Sequence, residues 1–176
     1  MAWRIVTYRL PSDGSSSQRV AVWRELRRVG AVGLQSATWA VPVGDGFDEG
    51  LAKAVHLVER ADGHALVLDV DPASESLGEL EALYSADRDA EWAEFAAECE
   101  KAIAELAGEV AKEKFTLAEL DEEEHSLDRL RRWYRELRAK DLFGAPLAST
   151  AEAKLKEATE ALDDFASRVF QARQRP

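Results

Sequence analysis

Apolar and polar residues at the start of the chain alternate in the manner of short strands and helices. Trp3–Leu10 is rich in aromatic and β-branched residues and stops at the turn formers Pro11–Gly14, which predicts a strand. Ser15–Ser17 then offer N-caps for a helix that runs to Val29. Gly30 is placed to end that helix in the left-handed conformation.

The next apolar stretch, from residue 31 to residue 43, is roughly twice the usual length of a strand. Gln35–Ala37 interrupts it, so we predict two strands, Ala31–Leu34 and Thr38–Val43, joined by a tight turn or a bulge. Pro42 is compatible only with the edge or the end of the second strand. Trp39 lies on that strand, where an aromatic residue is more often part of the core than of a ligand site.

A second helix over Phe47–Ala61 and a near-continuous apolar strand over His64–Val70 complete this part of the chain. The order βαββαβ is that of a ferredoxin-like unit. Its strands are apolar on both faces, whereas two helices cover only one face of a sheet. The other face must therefore be covered by the rest of the chain or by a second copy.

After Pro72 the composition changes to Ala, Glu, Leu and Lys with little Gly or Pro, which is typical of long helices. Thr116–Glu119 matches a capping box, and Ser149 and Thr150 are placed as caps for a last helix. Short connections favour antiparallel neighbours, so we predict a bundle of about three helices. The predicted organisation is α+β: a ferredoxin-like domain over residues 1–72 and a helical extension over residues 73–176.

Charge divides the chain in the same way. The net charge is −11, yet the first 30 residues hold six Arg and only two acids. An acidic total argues against nucleic-acid binding by the whole surface, because affinity for phosphates depends on basic contacts. A single cysteine excludes an internal disulfide, and there is neither a long apolar run nor a leader-like start. We expect a soluble, cytoplasmic protein that does not enter a membrane.

The first helix carries a basic face opposite its apolar residues, with guanidinium groups suited to phosphate or another oxyanion. The alternative is a solvated face that pairs with the acidic helices of the same chain. The candidate nucleic-acid or oxyanion site consists of Arg19, Arg24, Arg27 and Arg28.

Other candidate chemistry is weaker. We expect a solvated acidic line at the helical positions Asp87, Glu91, Glu94 and Glu98. Glu122 and His125 form a Glu-x-x-His without the second copy that a di-iron site needs. Cys99 lies on an apolar stripe between two acids, where burial should raise its pKa and leave it unreactive. We therefore predict no catalytic residues, no metal site and no cofactor.

Several segments together resemble the N-terminal domain of ChrB, a bacterial chromate-resistance regulator. The resemblance extends over nearly the whole chain and is carried by Tyr8–Ser12, Arg19–Ala31, Leu34–Gln35, Trp39–Pro42, Arg88–Trp92, Lys114–Thr116, Glu119–Leu120, Arg132–Trp133 and Asp141–Pro146. It implies a regulator of transcription in a chromate response, with possible partners in DNA, through the first helix, and in chromate or another oxyanion as effector.

Two departures from related proteins limit what the resemblance implies. We expect this protein to lack both the second domain of full-length ChrB and the winged-helix segment of the PaaX repressors. The similar CRISPR-associated nucleases need acids near the end of the first strand, where this chain has Arg9, with Asp13 in the following loop. Alternatives are a non-enzymatic homodimeric interaction module and, third, a metal-dependent nuclease-like protein. We expect a homo-oligomer.

Overall fold

The computed structural model describes residues 1–12 and 14–174, so that Asp13 lies outside the described residues. Four strands and five helices follow one another along this part of the chain. They are β1 (Trp3–Arg9), α1 (Ser16–Val29), β2 (Val32–Gln35), β3 (Thr38–Pro42), α2 (Asp45–Arg60), β4 (His64–Asp69), α3 (Leu77–Ala111), α4 (Leu117–Lys140) and α5 (Ala148–Gln174).

The four strands form one antiparallel sheet in the order β2-β3-β1-β4. The predicted hairpin is confirmed: Gln35 pairs with Thr38 across a two-residue turn, and a bulge lies between Gly33 and Gln35. Ala37 in the turn has φ of 57°, the left-handed backbone that such tight hairpin turns require. Both alternatives for the break, turn and bulge, are therefore present together.

Helix α1 has the ends that its sequence predicts. The side chain of Ser15 accepts a hydrogen bond from the backbone N–H of Gln18, whose side chain accepts in return from the Ser15 N–H. Gly30 ends the helix with φ of 87°. These local signals fix the start and the rotation of α1, and hence which side chains face the sheet.

One face of the sheet is covered by α1 and α2. Val6 and Val41 from the strands pack with Leu26 of α1 and Val58 of α2 in a continuous core. The two helices approach closely at Gly50, where an added Cβ would lie 2.3 Å from Cγ2 of Val29. No larger residue fits at this crossing without a shift of the neighbouring helix.

The opposite face of the sheet is buried over β2 and β3 and exposed along β4. Trp3 is buried and packs edge-on against Tyr84 with the ring centroids 5.3 Å apart. Leu66 and Leu68 of β4, which pair with Thr7 and Ile5 on this face, stay 51% and 55% exposed. The far edge of the sheet thus keeps an apolar surface in contact with solvent.

Contacts divide the chain into two compact units, Met1–Tyr84 and Ser85–Pro176, and α3 is a single helix that runs through the division. The assignment of separate domains at residues 1–72 and 73–176, and of a bundle, stays a prediction. In the second unit α3, α4 and α5 share one core built around Trp92, Phe95 and Phe165. No helix within residues 1–12 and 14–174 is long and apolar enough to cross a membrane.

The starts of α4 and α5 differ in how well the sequence predicts them. Thr116 caps α4 as expected, since its side chain accepts from the N–H of Glu119. The caps expected at Ser149 and Thr150 are wrong, because α5 already begins at Ala148 and both residues lie in its first turn.

Candidate functional site

The rotation of α1 decides which side chains can meet a ligand. Val22, Leu26 and Val29 face the core, so the residues on the other side of the helix point outward. We call the exposed surface that runs along α1 from its first turn the α1 outer face; it consists of Arg19 with Val20, Trp23, Arg24 and Arg27.

Arg24 is the most available of the four predicted arginines. It is exposed, and no described residue makes a hydrogen bond or an ion pair with it. Arg19 is also exposed, but its Nη2 donates to the carbonyl oxygens of Pro11 and Ser12 at 2.9 and 3.2 Å. Arg19 therefore holds the loop between β1 and α1, with other donors of its guanidinium left over.

Arg28 is engaged by an acid of its own helix. Its Nε and Nη2 donate to the two carboxylate oxygens of Glu25 at 3.0 and 2.5 Å, a bidentate pair one turn apart. The hydrogen bonds from Arg28 lower the pKa of Glu25 below its usual value, so the acid stays ionised near neutral pH. Arg27, by contrast, is half-buried. The predicted basic face is therefore divided, because Arg28 is paired with Glu25 and Arg27 is half-buried.

Sequence reasoning missed Trp23. Its side chain is 49% exposed on the α1 outer face, whereas Trp3, Trp39 and Trp92 are buried. Its spacing holds the signal that could have found it, because it lies four residues after Arg19 and four before Arg27. An exposed indole among guanidinium groups offers a flat surface for stacking as well as positive charge.

A shallow cavity of about 420 Å³ opens beside the loop that Arg19 holds. Arg9 and His64 contribute basic side chains to its lining, and Asp62 contributes an acid. The charges are mixed, so the cavity is less suited to an anion than the α1 outer face. It nevertheless brings Arg9 and His64 together from adjacent strands, β1 and β4.

The acidic line on α3 is not solvated along its whole length, contrary to the prediction. Glu91 is buried, and it pairs with Arg88 at 2.9 Å and with Lys140 of α4 at 3.2 Å. Arg88 is itself only 1% exposed and also contacts Asp87 at 2.5 Å. The expected solvated line is wrong at Glu91, because the opposite charges that compensate its burial come from residues close in space, whereas Glu94 of the same line is exposed as expected.

The same stretch of α3 holds the linker between α4 and α5. Nε1 of Trp92 donates to Asp141 at 3.0 Å, and Asp89 accepts from the backbone N–H of Leu147 at 2.8 Å. Asp141 in turn accepts from the N–H groups of Gly144 and Ala145 at 3.0 Å. Arg88–Trp92 and Asp141–Pro146, two of the segments that carry the sequence resemblance, are thus joined by hydrogen bonds and have a structural role.

Groups suited to metal or thiol chemistry are not assembled in the described residues. No three His, Cys, Asp or Glu side chains lie together there as a cation site. His125 is exposed and its Nδ1 hydrogen-bonds the backbone of Asp121. Burial, with the charges of Glu100 and Glu98, raises the pKa of Cys99 to about 11, as the sequence predicts. The site with the clearest ligand chemistry is the α1 outer face.

The chain matches the model of a known protein family. The family model described as "Protein ChrB, N-terminal" matches residues 19–176, which is nearly the whole chain. The match begins at Arg19, the first residue of the α1 outer face. No curated protein matches the chain.

Proposed function

Because the chain belongs to the ChrB N-terminal family, we propose that it is a regulator of chromate resistance that contacts DNA through the α1 outer face. The family supports the role in chromate resistance. The antiparallel order β2-β3-β1-β4 and the succession βαββαβ support a ferredoxin-like class for the part that presents α1.

The observation that carries the proposal is the position of Trp23 among arginines. Arg24 is exposed without a partner in the described chain, and Arg19 keeps donors beyond those used on the loop. Guanidinium groups bind phosphates, and an exposed aromatic ring packs against sugars or bases. The net charge of −11 makes such a local basic face the more necessary for binding a polyanion.

Arg28 can contribute to this surface only when it is released from Glu25. Its bidentate pair with Glu25 competes with any phosphate, and only 59% of its side chain is exposed. Arg24 is therefore the main proposed DNA contact, and Arg19 and Arg27 lie beside it. Arg28 can contact DNA only when its pair with Glu25 opens.

Fluorescence anisotropy with a labelled duplex from the promoter beside the gene tests this proposal. Arg24→Ala should weaken binding and reduce the slope of log K against log salt by about 1. The matched control is Arg168→Ala, which removes an exposed arginine from α5, where it pairs with Asp164 at 2.7 Å. Equal affinity and equal salt slope for the two variants would remove Arg24 from the interface.

Glu25→Gln gives a test in the opposite direction. The substitution removes a negative charge and releases Arg28, so we expect tighter DNA binding with a steeper salt slope. Weaker binding would mean that the Glu25–Arg28 pair shapes the interface rather than restraining it.

For the effector, we propose chromate or a similar oxyanion acting on the same basic surface. Promoter binding should change when chromate is added and should not change with chloride at the same ionic strength, because chloride is not an oxyanion. Arg9→Ala, which alters the cavity at the end of β1, separates an effect at that cavity from one at α1. The same change with both anions would indicate an ionic-strength effect only.

A further inference from the structure

Strand β4 is an open edge of the sheet without the usual protection. It pairs with β1 on one side, and in the order β2-β3-β1-β4 no described strand lies on its other side. Edge strands are normally shortened, bulged or charged to prevent further pairing. The opposite edge follows this rule, since β2 has four residues and a bulge, whereas β4 has six residues in unbroken register with β1.

The side chains of β4 are apolar on both faces of the sheet. Leu66 and Leu68 are 51% and 55% exposed on the face away from α1 and α2, and Val67 is 41% exposed on the other. Charged or polar residues stand only at the ends, at His64 and Asp69. The middle of the strand is therefore suited to another apolar strand.

The direction of the backbone groups of β4 follows from its pairing with β1. The N–H of Val70 donates to the carbonyl of Trp3 at 2.9 Å, which makes this a hydrogen-bonded pair. Such pairs alternate along an antiparallel ladder, so His64, Leu66 and Leu68 also turn their backbone groups toward β1. Ala65, Val67 and Asp69 must then direct their N–H and C=O groups outward.

We propose that a second copy of this chain pairs with β4 edge to edge and forms a continuous eight-stranded sheet around a two-fold axis at Val67. Residues that oppose each other in an antiparallel pair project from the same face of the sheet. An odd-numbered residue of one copy can therefore oppose only an odd-numbered residue of the other, and an even-numbered residue only an even-numbered one. Centring on Val67 opposes the outward groups of Val67 in both copies, and it sets Leu66 of each copy against Leu68 of the other.

Charge supports the same register. Centring on Val67 places Asp69 of each copy opposite Ala65 of the other, so that no two carboxylates oppose each other. A register centred on Asp69 would instead oppose two carboxylates, which costs free energy across a strand pair. One edge strand offers less area than the roughly 1,200 Å² of a standard interface, so we expect a concentration-dependent dimer of micromolar affinity.

Sedimentation velocity on the full chain, from about 1 to about 200 µM, measures the dimer. Val67→Lys should raise the dissociation constant at least about tenfold, because it buries two ammonium groups against each other. Phe170→Lys, which charges an exposed apolar residue on α5, is the control and should leave the constant unchanged. A monomer over the whole range, or a dimer that Val67→Lys does not weaken, would overturn the proposal.

Cysteine cross-linking tests the register independently of affinity. Residues 67 of the two copies should lie roughly 5.5 Å apart between Cα atoms, within the range that a disulfide spans. Val67→Cys should therefore form a covalent dimer with oxidised glutathione. Ala65→Cys should not, because its two copies would be about 14 Å apart. Equal yields of covalent dimer from the two variants would reject the register centred on Val67. A covalent product that contains a different protein instead of a second copy of this chain would reject the homodimer.

Discussion

The indole N–H of Trp92 donates a 3.0 Å hydrogen bond to the carboxylate of Asp141 across 49 residues of sequence. Asp141 follows the last residue of α4 and also accepts from two backbone N–H groups of the loop that leads to α5. One carboxylate thereby holds the end of α4, the loop and the buried face of α3 together. These hydrogen bonds of Asp141 explain how a short loop fixes the path of the chain between the long helices α4 and α5.

Trp92→Phe should destabilise the chain by about 1–3 kcal/mol, because the ring can stay buried while the carboxylate loses its indole donor. Urea unfolding followed by circular dichroism measures the change. Trp133→Phe is the control, since Trp133 is half-buried in the same core and packs edge-on against Phe95. Equal losses for the two variants would mean that the hydrogen bond contributes little.

Gly50→Ala should cost about 1–3 kcal/mol, because the new Cβ would lie 2.3 Å from Cγ2 and 2.7 Å from Cβ of Val29. Gly46→Ala on the same helix is the matched control, since an added Cβ there meets nothing within 4 Å. We expect that control to be neutral or to stabilise by up to about 1 kcal/mol through the unfolded state. Thermal unfolding of the two variants beside the parent distinguishes crowding from a general effect of alanine.

Cys99 should react slowly while the chain is folded. With its pKa raised by burial to about 11, about one thiol in a thousand is ionised at pH 8. Labelling by a thiol reagent at pH 8 should therefore be at least about a hundredfold slower for the native chain than in urea. Comparable rates in the two conditions would show that the thiol is accessible and its surroundings open.

Glu123 should make stability depend on pH. Burial, with the neighbouring acids Glu105 and Glu122, raises its pKa. The folded chain therefore holds this proton more tightly than the unfolded chain, so this contribution to stability grows as pH falls through the folded pKa and is lost as pH rises. Glu123→Gln should stabilise the chain at pH 7, by less than about 1 kcal/mol because the side chain is partly exposed.

Denaturation at pH 7 and pH 4 measures the effect of Glu123→Gln. The gain should shrink at pH 4, where the parent carboxyl is itself largely protonated. Glu124→Gln, at an exposed neighbouring position, should give a smaller gain at pH 7. A gain for Glu123→Gln that does not change with pH would assign it to packing rather than to charge.

Local signals predicted the first unit well, and contacts distant in sequence account for what they missed. The cap at Ser15, the end at Gly30 and the break at Gln35–Ala37 act within a few residues, so the sequence alone locates α1 and the hairpin. The start of α5 depends instead on Asp89, which accepts from the N–H of Leu147 across 58 residues. No pattern near Ser149 could reveal that partner.

The candidate site was predicted in part for the same reason. Helical spacing places Arg19, Arg24 and Arg27 on one side of α1, but it does not tell which guanidinium is already engaged. The pair of Arg28 with Glu25 and the exposure of Trp23 depend on side-chain geometry at three- and four-residue spacings. Burial of Glu91 likewise depends on Lys140, which is distant in sequence.

Helices α1 and α2 lie on the same face of the sheet, and this would limit the DNA that the proposed dimer could recognise. A two-fold axis at the edge of β4 runs perpendicular to the sheet, so it keeps α1 of each copy on the same side and reverses its direction. Two α1 helices related in this way match the symmetry of an inverted repeat rather than a direct repeat. If the proposed dimer binds DNA through α1, its operator should therefore be an approximate palindrome.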